Sequence, residues 1–91
     1  MSQDYVMELD ELKEYIQQGR EIEFSYKGRP YFMNPLYAED DRSRNLGTKI
    51  LDVEKEELIF AGPDDQALTF EFEPGVSFSN SIDSFDFEYI L

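Results

Sequence analysis

The chain has no cysteine, no histidine and no tryptophan, and only 8 of its 91 residues are lysine or arginine. Without cysteine there is no disulfide framework, no thiol nucleophile and no thiolate metal site. Without histidine the chain lacks the side chain most used for acid–base chemistry near neutral pH, and the commonest metal ligand. Ser25, Ser77, Ser79, Ser81 and Ser84 therefore have no imidazole to activate them. Gly28, Gly47, Gly62 and Gly75 are scattered as turn residues and form no phosphate-cradling loop. No run approaches the roughly 18 apolar residues of a membrane-spanning helix, and no basic-then-apolar leader precedes Leu9. These absences argue against most enzyme chemistries and against a bound cofactor or membrane contact. They lead us to expect a non-enzymatic, cytoplasmic protein.

What is abundant is negative charge. With 21 acids the formal net charge is −13, which repels nucleic-acid backbones and anionic membranes and favours basic partners. The charge is also segregated. All eight bases lie at or before Lys55, whereas Glu56, Glu57, Asp64, Asp65, Glu71, Glu73, Asp83, Asp86 and Glu88 follow it. Fourteen Phe and Tyr residues and an apolar fraction of 41% suffice for one core, so residues 1–91 read as a single domain.

The clearest structural signal runs from Gly19 to Met33. Ile22, Phe24 and Tyr26 alternate with Glu21, Glu23 and Ser25, which places the apolar three on one face of a strand. Lys27-Gly28 then supplies a two-residue turn of type I′, which requires positive φ at both positions. That loop pairs Tyr26 with Arg29, Phe24 with Tyr31 and Ile22 with Met33, and gathers Ile22, Phe24, Tyr31 and Met33 into one patch. A longer loop with shifted register is the alternative. Pro30 falls opposite Ser25 with its missing N–H turned away, which predicts a local sheet edge on that side.

Met1 to Tyr5 reads as a loose terminus. Leu9, Leu12 and Ile16 recur at helical spacing and predict a short helix over Glu8–Gln18, ended by Gly19. Phe32 and Leu36 fall on the opposite face of the second hairpin strand, part of which the C-terminal half is expected to cover. Tyr37 to Thr48 has no apolar periodicity and reads as a mobile loop. Short strands follow at Ile50–Val53 and Leu58–Ala61. After the Gly62–Gln66 turn, Leu68, Phe70 and Phe72 alternate as a further strand. Phe85, Phe87 and Tyr89 alternate in the tail, as a last strand or as extended chain across the sheet. The fold class is α+β: a short N-terminal helix on one face of a twisted antiparallel sheet of five to six strands.

From Leu12 to Met33 the pattern is a helix, then Gly19-Arg20, a strand Glu21-Ile22-Glu23-Phe24-Ser25-Tyr26, a turn glycine at Gly28 and the pair Tyr31-Phe32. This resembles a loosely defined group of small acidic proteins from Gram-positive bacteria and their phages. The resemblance covers about a quarter of the chain, brings no assigned activity and carries over no functional residues. It implies a second helix near the C-terminus, where Ser79 to Leu91 instead has strand-like alternation.

Three further patterns bear on chemistry. Glu21/Glu23, Glu71/Glu73 and Asp86/Glu88 are two apart, which on a strand spaces them at about 6.8 Å. That suits a glycosidase-like acid–base pair and equally suits the solvated face of an acidic strand. Glu39-Asp40-Asp41 and Asp64-Asp65 lack the alternating spacing of a calcium loop, so no dedicated metal site is expected. The same carboxylate spacing is near the distance between neighbouring phosphates of a nucleic acid. We therefore expect an interaction module whose acidic C-terminal sheet engages a basic protein through Glu71, Glu73, Asp83, Asp86 and Glu88 with interleaved Phe85 and Phe87. Its sharpest form is a DNA mimic that inhibits a nucleic-acid-binding enzyme. The alternative is a small ligand-binding or carboxylate-dependent hydrolytic domain. A homodimer through the hairpin edge is compatible with both.

Overall fold

The computed structural model describes residues 7–38, 40 and 45–91; the expected loose terminus Met1–Tyr5 lies outside them. Helix α1 spans Leu9–Gln17. Its N-terminus is closed by Glu11, whose Oε1 accepts the Glu8 N–H at 3.3 Å. Its C-terminus is closed by Gly19 at φ +74°. The Gly19 N–H donates to the Ile16 carbonyl at 3.0 Å and the Arg20 N–H to the Tyr15 carbonyl at 3.1 Å. This is the paired-bond ending that a left-handed residue after a helix makes possible.

Strands β1 (Ile22–Tyr26) and β2 (Arg29–Tyr37) form the hairpin in the predicted register, from Ile22 opposite Met33 to Tyr26 opposite Arg29. Lys27 and Gly28 both take positive φ, at +52° and +78°, as a type I′ turn demands. Strands β3 (Asn45–Asp52) and β4 (Glu57–Gly62) continue the meander. Strand β5 (Phe85–Ile90) returns to the far side of β1, giving the order β4-β3-β2-β1-β5, antiparallel throughout. The tail is thus a strand. The fold class is the expected one, with five strands.

The edge expected at Pro30 is local only, because β2 is the central strand of the sheet. Pro30 stands one residue beyond the β3 ladder, which ends at Tyr31 opposite Asp52. Its carbonyl still accepts the Val53 N–H at 3.2 Å. Pro35 pairs with Thr48 of β3, and its missing N–H faces the side where β1 has already ended. Each proline thus faces a neighbour that has stopped, which is how a central strand accommodates two of them. With a neighbour on either side, the hairpin has no free edge through which a second copy could pair.

The region read as a loop over Tyr37–Thr48 is shorter. Tyr37 closes β2 and Asn45–Thr48 open β3; residues 39 and 41–44 between them lie outside the described set. The strand predicted through Leu68, Phe70 and Phe72 is also not formed. Asp64–Thr69 make helix α2. Pro63 sets the entry, its carbonyl accepting the Gln66 and Ala67 N–H groups, and Asp64 and Asp65 put negative charge in the first turn. A short helix α3 (Phe78–Ser81) and a 3₁₀ turn (Ile82–Ser84) lead into β5.

The path from β4 to β5 must cross the whole sheet, and it crosses on the face that also carries α1. Leu12 and Ile16 of α1, Leu68 of α2 and Phe78 of α3 share one core with Ile22, Phe24, Met33 and Ile50 of the sheet. Phe24 is fully buried and its ring meets those of Tyr31, Phe72, Phe78, Phe85 and Phe87 at centroid distances of 5.3–6.0 Å. Such offset and edge-on ring pairs add to the burial term. Two side-chain bonds pin the crossing. Thr48 Oγ1 donates to Asp64 Oδ1 at 2.6 Å, and Ser79 Oγ donates to the Leu68 carbonyl at 2.9 Å. Among the described residues no helix is long and apolar enough to cross a membrane.

Candidate functional site: the open face of the sheet

Because every helix lies on one side, the opposite face of the sheet has no covering element among the described residues. The C-terminal half was expected to cover part of it; instead that half joins α1 on the core side. The pairing registers place Tyr89, Glu23, Phe32, Leu51 and Leu58 in a row across the five strands. A neighbouring row holds Asp86, Ser25 and Pro30, with Val53 beside Pro30. Phe32 and Leu51 are half-buried, whereas Val53 is 48% exposed, Leu58 52% and Tyr89 58%. Large apolar side chains in this degree of contact with water, gathered on one face, are characteristic of binding surfaces.

The middle of this face is an open groove of about 550 Å³, lined by Phe32, Leu51, Val53 and Pro30 with the carboxylates Glu23, Glu56 and Glu88 at its rim. Among the described residues no lysine or arginine lines it. On the same face Lys49 stands opposite Asn34, in the next row. Strand β5 contributes Glu88 through an irregularity. The register of β1 against β5 shifts between Glu23 and Phe24, which leaves Glu88 as an extra residue. A bulge re-aims the side chain it carries, and Glu88 here reaches the open face, where Ser25 Oγ donates to its Oε2 at 2.9 Å. Ser25 is itself buried, so the hydroxyl fixes this carboxylate in place while its second oxygen stays available.

The predicted partner-binding residues fall into separate places. Asp86 and Glu88 lie on β5 at the open face. Phe85 is only 5% exposed and belongs to the core, and Phe87 packs against Phe24 and Phe78 from the same side; neither aromatic is presented to a partner. Asp83 sits in the 3₁₀ turn before β5. Glu71 is exposed in the irregular segment after α2, so it and Glu73 do not form a strand-spaced pair.

Glu73 has a different occupation. Its Oε2 accepts the Tyr26 hydroxyl and lies 2.9 Å from Lys27 Nζ. The Lys27 ammonium and the Tyr26 hydroxyl hold the Glu73 carboxyl below its ordinary range. In return Glu73 raises both the Lys27 ammonium and the Tyr26 phenol above theirs. The cluster fastens the Pro74-Gly75 turn to the hairpin loop. It leaves Glu73 with its charge already partnered.

Reasoning from sequence missed the groove. The apolar character of Phe32 and Leu36 on the outer face of β2 was one signal; Leu51 and Val53, two apart on β3, were the other. No three acidic side chains among the described residues gather as a metal site would require. Comparisons with protein-family models, with curated proteins and with solved structures return no match.

Proposed function

We propose that the chain is a non-enzymatic protein-interaction module that binds a basic protein through the open face of its sheet. The observation that carries this reading is the groove itself: an apolar floor of Phe32, Leu51 and Val53, rimmed by Glu23, Glu56 and Glu88, with no lining base among the described residues. Carboxylates around an apolar patch steer a cationic partner toward it and reject anionic ones, while the patch supplies the desolvation that gives affinity. The DNA-mimic form of the idea required rows of free carboxylates along strands. Glu71 and Glu73 do not supply such a row, so the acidity is better read as a rim and a steering field than as a copy of a phosphate backbone. A nucleic-acid-binding enzyme fits the partner class by its charge alone.

The test is binding to the immobilised chain, eluted with salt after nuclease treatment. A basic protein released at moderate salt, and lost when Asp86→Lys and Glu88→Lys are introduced into a chain that still folds, supports the module. Binding indifferent to both salt and charge reversal counts against it. The groove volume also falls within the roughly 300–1,000 Å³ of small-molecule sites. A neutral ligand held independently of salt would decide for the ligand-binding alternative.

A further inference from the structure

We infer that the groove takes a cationic amphipathic peptide segment, with one apolar side chain seated over Phe32, Leu51 and Val53 and a neighbouring lysine or arginine held by Glu23 and Glu88. The inference rests on the basic-partner reading and narrows it from a charged surface to one recognition site. Its geometry follows from the sheet. Glu23, Phe32 and Leu51 are successive members of one cross-strand row, so the rim carboxylate stands about 10 Å from the far side of the apolar floor, two strand spacings away. A long basic side chain one or two residues from an apolar anchor spans that distance, because its aliphatic stem can cross apolar surface while its charged head reaches the rim.

The carboxylate at the end of that reach is prearranged. The bulge in β5 turns Glu88 to the open face, and Ser25 holds one of its oxygens. Little ordering is left for a ligand to impose, which favours binding of a small segment. Arginine, whose planar fork pairs with carboxylates at two points, suits the site better than lysine.

Charge excludes the competing occupants. A nucleic acid or an anionic lipid surface would face Glu23, Glu56 and Glu88 with no base among the described lining residues to offset them. A second copy of the chain laid face to face would bring the same three carboxylates onto themselves. The face offers Lys49 in return, but Lys49 lies outside the groove lining. A segment carrying its own positive charge and its own apolar anchor meets both halves of the site.

The experiment is an amide-resonance titration of the whole chain with a short peptide of alternating lysine and leucine, and with a lysine–serine peptide of equal charge. The site predicts shifts concentrated at Glu23, Phe32, Leu51, Val53 and Glu88. It also predicts that the leucine peptide binds about tenfold more tightly than the serine peptide, as one buried apolar side chain warrants. Val53→Ser and Glu88→Gln should each weaken the leucine peptide about three- to tenfold while leaving the remaining spectrum in place. Equal binding of the two peptides, with shifts spread over Glu71, Asp83 and α1, would overturn the groove and leave the basic-partner module standing. No response to either peptide at low salt would overturn both.

Discussion

Five strands present two faces, and the two are finished differently. On one face Ile22, Phe24, Met33 and Ile50 are sealed under α1, α2 and α3, with Phe24 at the centre of five ring contacts. On the other, Phe32, Leu51, Val53 and Leu58 line up with no covering element among the described residues, and carboxylates stand beside them. Strand alternation alone does not create this difference, because β2 and β3 are apolar on both faces. The difference comes from the crossing between β4 and β5, which passes over one side only. The covered face supplies stability. The apolar character of the other is left over after the core is closed, and the proposed binding draws on it.

The strongest way to break the comparison is to truncate one residue from each face. Phe24→Ala should lower unfolding stability by about 3–5 kcal/mol, the range for a large aromatic removed from a packed core. In a chain of this size that is a large share of the total. Leu58→Ala, more than half exposed, should cost under about 1 kcal/mol. Urea unfolding of the two variants measures both. Losses of similar size would mean that the open face is covered in solution, and the division between the faces would fall.

A second test concerns the backbone of the outer strands. A Cβ at Gly47 would stand 2.1 Å from the Gly62 carbonyl oxygen, on a residue whose φ is +146°. The β3–β4 pair must therefore separate locally to admit alanine, and Gly47→Ala should cost about 2–4 kcal/mol. At Gly28 the φ of +78° is also unfavourable for alanine, but nothing lies within 4 Å. Gly28→Ala should cost about 1 kcal/mol, the conformational part alone. Thermal melts of both variants separate steric from torsional cost. Equal losses would show that β4 yields easily and that this edge of the open face is soft.

How much of this was legible in the sequence depends on how local each determinant is. The β1–β2 register was readable residue by residue, because a two-residue turn at Lys27-Gly28 fixes every pair after it. Helix α1 was readable because Leu9, Leu12 and Ile16 repeat at helical spacing up to a glycine. Helix α2 was not: its only apolar residues, Ala67 and Leu68, are too few to show a period, and Leu68 alternates with Phe70 and Phe72 beyond the helix as a strand would. Only Pro63 followed by two aspartates marked a helix start. The groove was least legible. Phe32 is readable on its own, but setting Leu51 and Val53 beside it requires the β2–β3 register, which shifts between Leu36 and Tyr37. The position of Glu88 depends on another irregularity, in β5. Gly47 stands at the first of these shifts and no glycine stands at the second, so the position of Glu88 exists only once distant strands have paired.

The smallest expected effect, and the one that sharpens the comparison most finely, separates two carboxylates. Glu88 belongs to the open face, whereas Glu73 ties the turn before α3 to the hairpin loop through Lys27 and Tyr26. Glu73→Gln should therefore leave peptide binding unchanged and alter stability in a pH-dependent way. In the folded chain the Glu73 carboxyl titrates below its ordinary value because of Lys27 first and Tyr26 second. Its contribution is then present above the unfolded carboxylate value, about 4.3, and disappears as pH falls through the lowered folded value. Lys27 and Tyr26 titrate above their ordinary values, each chiefly because of its hydrogen bond with Glu73. Their contribution is complete below about pH 10 and is lost as pH rises through the raised values. The melting temperature of the parent chain should exceed that of Glu73→Gln across neutral pH and converge on it at both extremes. Lys27 stands largely in water, so the gap should be small and should narrow in salt. A gap that is constant from acid to alkali would show that the carboxylate acts there only through its shape. Weakened peptide binding in the same variant would show that the two faces are coupled, contrary to the division of labour drawn above.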